Sequence, residues 1–135
     1  MTDLARFLRF GLVGTAGFFV DAGVLAFGLH LLGLDPYSAR VISFLCAATF
    51  TWWGNRTLTF ADRAAQGSRG LAAEWAKFVS ANALGGVANY GTYAALITFA
   101  PTPLNNPYVA LAFGSGVGLV FNFAMSKWLV FRGAT

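Results

Sequence analysis

Residues Gly14–Gly28 read GTAGFFVDAGVLAFG, an apolar and small-residue run around a single carboxylate, Asp21. Whether this run is a buried strand, a core helix or a membrane span decides the fold. Followed outward, the run extends from about Leu8 to about Leu32. That length matches the ~20 residues a helix needs to cross the hydrocarbon layer. The apolar stretch exceeds the ~7–15 residues of a signal peptide, and no clear small-x-small cleavage site follows, so a permanent span is expected.

Three further apolar segments follow, at about Tyr37–Gly54, Trp75–Phe99 and Pro107–Met125. Their interiors hold many glycines and few charges, as membrane helices do. The whole chain of 135 residues is 57% hydrophobic and 10% charged. A soluble domain is roughly one quarter charged, so composition favours a single membrane domain over residues 1–135. One cysteine, Cys46, excludes an internal disulfide, and its apolar neighbours suggest a small buried side chain. One histidine and no metal-ligand spacing leave no basis for a metal or other cofactor. His30 falls opposite Asp21 on the first helix, near its outer end.

The connections assign direction. GLDPYS is short, with Pro36 as a helix starter. RTLTFADRAAQGSRGLAAE is polar and basic, whereas APTPLNNP is an uncharged turn zone. Arg6, Arg9, Arg56, Arg63, Arg69, Lys77, Lys127 and Arg132 fall on one side of the expected spans, and Arg40 alone on the other. The positive-inside rule then puts both termini and the middle loop in the cytoplasm. The net charge of +4 is thereby a topology signal rather than a nucleic-acid footprint. Trp52, Trp53, Trp75 and Trp128 near the cytoplasmic ends suit an interfacial aromatic belt.

The halves, about 6–60 and 74–131, resemble each other. RFGLVGTAGFFVDAG aligns with KFVSANALGGVANYG, which pairs Arg9 with Lys77, Gly17 with Gly85 and Asp21 with Asn89. YSARVISFLCAATFTWWGNRTLTF aligns with YVALAFGSGVGLVFNFAMSKWLVF, which pairs Tyr37 with Tyr108, Arg56 with Lys127 and Phe60 with Phe131. Two spans per half make a parallel repeat, with a pseudo-twofold axis along the membrane normal and Asp21 and Asn89 as mates near midplane. The expected architecture is an all-α membrane protein of four transmembrane helices, arranged as two parallel two-helix repeats.

At 100° per residue each span gathers its small and polar residues on one face: Gly14, Gly17, Asp21 and Gly28; Arg40, Ser43, Ala47, Thr51 and Asn55; Asn82, Gly85, Gly86, Asn89 and Tyr93; Gly114, Gly118, Asn122 and Ser126. Small residues let helices approach, and amides bond between them. A charge at midplane costs roughly 2.5–3.5 kcal/mol on insertion scales, so Asp21 needs a partner or water. Three states are open to it: a neutral acid that donates a hydrogen bond, an ion beside Arg40, or a group that titrates during transport.

The opening RFGLVGTAGFFVD, the NRTLTF that ends the second span and the closing SKWLVF resemble the GtrA-like family of small four-span bacterial membrane proteins. The likeness runs from about Arg6 to Phe131, with Asn-Arg-x-x-x-Phe as its most specific element. The second half has Ser126-Lys127 where the first has Asn55-Arg56. The resemblance implies a flippase that moves polyprenyl-phosphate-linked monosaccharides across the bacterial cytoplasmic membrane for cell-surface polysaccharide synthesis. It also implies a link to membrane glycosyltransferases. On that reading Arg56 and Lys127 take the phosphate at the cytoplasmic interface, or serve only as topological anchors. Asn55, Asn89 and Asn122 bond sugar hydroxyls, Asp21 takes a hydroxyl or proton at midplane, and Arg40 receives the phosphate outside. An accessory partner of a glycosyltransferase and a proton-coupled small cation exporter are the competing readings. An enzyme is not expected, because no nucleophile–base pair or phosphate loop is present. Four spans enclose little room, which suggests a homodimer.

Overall fold

The computed structural model describes residues 2–131, apart from the side chains of Pro36, Tyr37, Pro107, Tyr108 and Leu111. Arg132 and the side chains of the Tyr37–Tyr108 pair thus lie outside the described residues. Four helices carry the fold: α1 (Asp3–His30), α2 (Pro36–Gly54), α3 (Gly67–Phe99) and α4 (Pro107–Met125). α2 and α4 each run straight into a five-residue π turn, Asn55–Thr59 and Ser126–Val130.

Local chemistry sets the ends. Thr2 caps α1 by accepting from the Ala5 amide at 3.1 Å. Asp35 caps α2 by accepting from the Ser38 amide at 3.0 Å, with Pro36 at the first turn. α1 stops where Gly33 takes a positive φ of 65°, which lets the Leu34 amide reach the Gly28 carbonyl. α3 begins at Gly67, eight residues before the expected span, so the basic middle loop is shorter than the sequence suggests.

The helices form a four-cornered bundle. α1 packs on α2 and α3 on α4 most extensively; α2–α3 and α1–α4 complete the ring. Small residues make the close approaches. A methyl group added at Gly118 would lie 3.2 Å from the Gly85 carbonyl oxygen, and one at Gly54 would lie 2.9 Å from Val13. Elements of equal length recur 71 residues apart, in α2 and α4 and in the two π turns.

The dry core lies at the end of the bundle that holds the amino terminus. In each π turn a backbone amide reaches five residues back, Phe60 to Asn55 and Phe131 to Ser126, both at 2.7 Å. This aims Phe60 and Phe131 at each other, stacked at 4.9 Å between centroids and 8° between planes. Phe10 and Phe78 close on this pair edge-on. All four are buried.

The outside is oily. Leu12, Phe19, Val87, Tyr90 and Phe99 are among many large side chains that face outward. Cys46 is exposed, contrary to the buried position expected from its neighbours. Apolar neighbours do not distinguish core from lipid-facing surface, because both are apolar. By length and composition α1 is long and apolar enough to cross a membrane, and most of its apolar window faces outward rather than into a core. The sequence suggests four comparable spans; α1 alone among the described helices meets that measure. α3 is diluted by Asn82, Asn89, Tyr90 and Tyr93, whereas α2 and α4, with 19 residues each, are about 28 Å long at 1.5 Å per residue, close to the thickness of the hydrocarbon layer.

Candidate functional site

Beside the phenylalanine core all four helices line a cavity of about 320 Å³. α1 contributes Gly14, Gly17 and Asp21, α2 Ala47, Thr51 and Asn55, α3 Asn82 and Asn89, α4 Leu119 and Asn122. Phe10 and Phe78 form part of its wall on the core side. A second recess of about 450 Å³ shares Gly14, Asn82, Asn89 and Asn122 and adds Thr15, Gly85 and Ser115. Part of the small and polar stripe of each helix therefore lines these two adjoining recesses, while Gly28, Arg40, Ser43, Tyr93, Gly114 and Ser126 do not. A third hollow, on the outer face of α4, is lined by Phe113, Val117, Val120 and other apolar groups only.

Asp21 is half-buried at the cavity wall and bonded to Arg40, whose Nη1 donates to Oδ1 at 2.6 Å. The same Nη1 donates to the Ser43 hydroxyl at 3.1 Å. Of the three arrangements considered for Asp21, the structure shows the contact with Arg40.

The amides are held differently. Asn55 is buried, and its Oδ1 accepts from the Thr59 hydroxyl at 2.7 Å, within the first π turn. Asn55 is also one of the residues that line the cavity. Asn89 sits in the space opened by Gly114 and Gly118, where added methyl groups would lie 2.7 and 3.0 Å from it. Asn122 packs against Gly85, and its Oδ1 is buried with no protein partner. An unsatisfied buried acceptor costs about 1–3 kcal/mol, so a polar ligand group that reached it would recover that energy.

Arg56 and Lys127 do not line the cavity. Arg56 donates from Nε to Glu74 at 2.9 Å and from Nη2 to the Ala65 carbonyl at 2.6 Å, over the Trp52 ring. Glu74 is buried and also accepts from the Trp52 indole at 3.0 Å and the Ala65 amide at 2.6 Å. Lys127 donates to Asp3 at 2.7 Å. Arg6, buried, clamps Asp62 bidentately at 2.9 and 2.7 Å and donates to the Thr59 carbonyl at 3.0 Å. The hydrogen bond from Arg6 is the main cause that lowers the Asp62 carboxyl to about 2. Trp75 bonds Thr49 across the α2–α3 contact at 2.9 Å, whereas Trp53 and Trp128 face outward.

The structure thus gathers Asp21, Asn55, Asn89 and Asn122 at one cavity, sets Arg40 beside it, and keeps Arg56 and Lys127 in ion pairs elsewhere. Sequence reasoning did not find Glu74, Asp62 or Asp3 as their neighbours' partners. The signal was scarcity. The chain has five acidic residues. Four pair with a cation and the fifth, Asp35, caps α2. The family model described as GtrA/DPMS, transmembrane domain, matches residues 9–131. No curated protein matches the chain.

Proposed function

Because this chain belongs to the GtrA/DPMS transmembrane-domain family, and is therefore a membrane protein, we propose that it is a flippase for a polyprenyl-phosphate-linked monosaccharide. The observation that carries this reading is the cavity, in which Asp21, Asn55, Asn82, Asn89 and Asn122 face one hollow inside an oily bundle. The physical problem is to shield a polar headgroup across about 30 Å of hydrocarbon while the isoprenoid tail stays in lipid. Amides suit this task, since they donate to and accept from sugar hydroxyls without a net charge. Glycine and alanine at Gly14, Gly17 and Ala47 leave the room.

In this reading the four helices cross the bacterial cytoplasmic membrane with both termini inside. The two halves form a parallel repeat, for which the recurring element lengths and the Phe60–Phe131 stack speak. A second copy of the chain and a membrane glycosyltransferase are the partners it calls for. The pairing of Asp21 with Arg40 speaks against cation export, since Asp21 already has its cation.

The test is the rate at which a labelled polyprenyl-phosphate sugar crosses liposomes that hold the purified protein. Crossing faster than in empty liposomes, and slowed by Asn89→Leu, is the expected outcome. Crossing at the empty-liposome rate with several sugars overturns it in favour of an accessory role.

A further inference from the structure

The cations near the carrier's cavity are not equally free to meet an anion. Arg6, Arg56 and Lys127, at the end of the bundle with the amino terminus, are each closed into a carboxylate pair, and each is largely buried. Arg9, exposed at that same end, has an open edge too, since it donates only from Nη1 to the Leu58 carbonyl, but no carboxylate pairs with it and it does not line the cavity. Arg40 differs. It stands alone among the described Lys and Arg residues at the opposite end, and its side chain is 56% exposed. It spends one nitrogen, Nη1, on both Asp21 and Ser43. Among the described residues its Nε and Nη2 donate no hydrogen bond. That pair of nitrogens is the edge from which a guanidinium binds a phosphate bidentately. Asp21, which holds the other edge, lines the cavity.

We infer that the phosphate of the carried lipid binds the free Nε/Nη2 edge of Arg40, and that it exchanges there with Asp21 for the guanidinium. This rests on the transport reading and names its phosphate subsite. The physical reason for exchange is charge. Arg40 carries one positive charge, and no second cation among the described residues pairs with Asp21. A phosphate on one edge and Asp21 on the other place two negative charges about one guanidinium, and they repel. As phosphate docks, the Asp21 contact weakens, and the carboxylate turns into the cavity where sugar hydroxyls pass. When the phosphate leaves, Asp21 closes the pair again. The arrangement thus releases its anion instead of trapping it, as a carrier requires. The locked pairs at the other end have no such open edge, so those cations are excluded from this role.

Binding of farnesyl phosphate to the purified protein in nanodiscs, read by calorimetry, tests the assignment, with farnesol as the uncharged control. A charge-assisted bidentate contact is about twice as strong as a neutral one. Arg40→Gln is therefore expected to weaken farnesyl phosphate at least about tenfold and to leave farnesol unchanged. Arg40→Lys, a point charge, is expected to fall between the two. Asp21→Asn, which removes the competing carboxylate, is expected to tighten farnesyl phosphate several-fold. Affinity unchanged in Arg40→Gln, or not tightened in Asp21→Asn, overturns the exchange. Should Arg40→Gln fail to fold, the lysine and Asp21→Asn arms decide alone. Liposome transport of the same variants separates the two readings. Arg40-dependent binding without lipid movement removes the flippase and keeps the phosphate site. Lipid movement with binding indifferent to Arg40 keeps the flippase and removes the site.

Discussion

Single atoms decide the close contacts of this bundle. Gly85 has no room for a methyl group, because the amide of Asn122 occupies the space a Cβ would take. At Gly116, six residues before Asn122 on α4, an added methyl group would meet nothing within 4 Å. Gly85→Ala is therefore expected to lower stability by about 1–3 kcal/mol, the usual cost of overpacking, and Gly116→Ala to leave it unchanged, in thermal unfolding of the detergent-solubilised protein. Asn122 carries the opposite lesson. Its Oδ1 is buried without a partner, so Asn122→Val should keep or raise stability by up to about 1–3 kcal/mol. The same change should slow sugar-lipid crossing about tenfold, the effect of one lost hydrogen bond of roughly 1.4 kcal/mol. Loss of both stability and transport would make the asparagine structural. The sequence placed Asn122 on the polar face of its helix; that its oxygen finds no partner is a fact of packing.

At the scale of elements, the first π turn is held by side chains that reach in from α1. A wide turn leaves carbonyls pointing away from the helix ladder, and Arg6 and Arg9 take those of Thr59 and Leu58. Asp62 then neutralises Arg6. Since its folded carboxyl lies at about 2, below the ordinary 3.8, its support is full above the ordinary value and fades as pH falls through about 2. The stability gap between wild type and Asp62→Asn should accordingly be constant from pH 7 down to about 4 and close below that, in denaturation followed at several pH values. A gap that persists at pH 2 would mean that packing and not charge holds the turn. The Asn-Arg-x-x-x-Phe element reads in the same way. Asn55 lines the cavity, Arg56 ties α2 to Glu74 on α3, and Phe60 stacks on its mate. Glu74→Ala leaves Arg56 buried and unpaired, so a loss of about 3–5 kcal/mol is expected. Replacing both by apolar residues should cost much less, which a double-mutant cycle would measure.

The whole molecule is a ring of four helices with a dry aromatic core at one end and a polar hollow beyond it. If both termini lie in the cytoplasm, a cysteine at Gln66 should react with a membrane-impermeant maleimide only from the inner side, and one at Asn105 only from the outer side, in a Cys46→Ser background. Labelling of both positions from one side would overturn the four-span topology. Helix number, the ends of α2 and α4 and the polar face of each helix were legible in the sequence, because hydrophobic length and periodicity are local properties. The π turns were not: RTLTF reads as loop, and the groups that meet it, Arg6, Arg9 and Phe131, lie far from it in sequence. Nor was the choice of partners. Arg56, Lys127 and Arg40 look alike as basic residues near span ends, yet the first two meet buried or neighbouring carboxylates and the third keeps an open edge. Sequence by itself determined which faces are polar, since that follows from spacing along one helix. Only the tertiary structure decided which of those polar groups remain free to meet a substrate, since that depends on what the other helices bring to them.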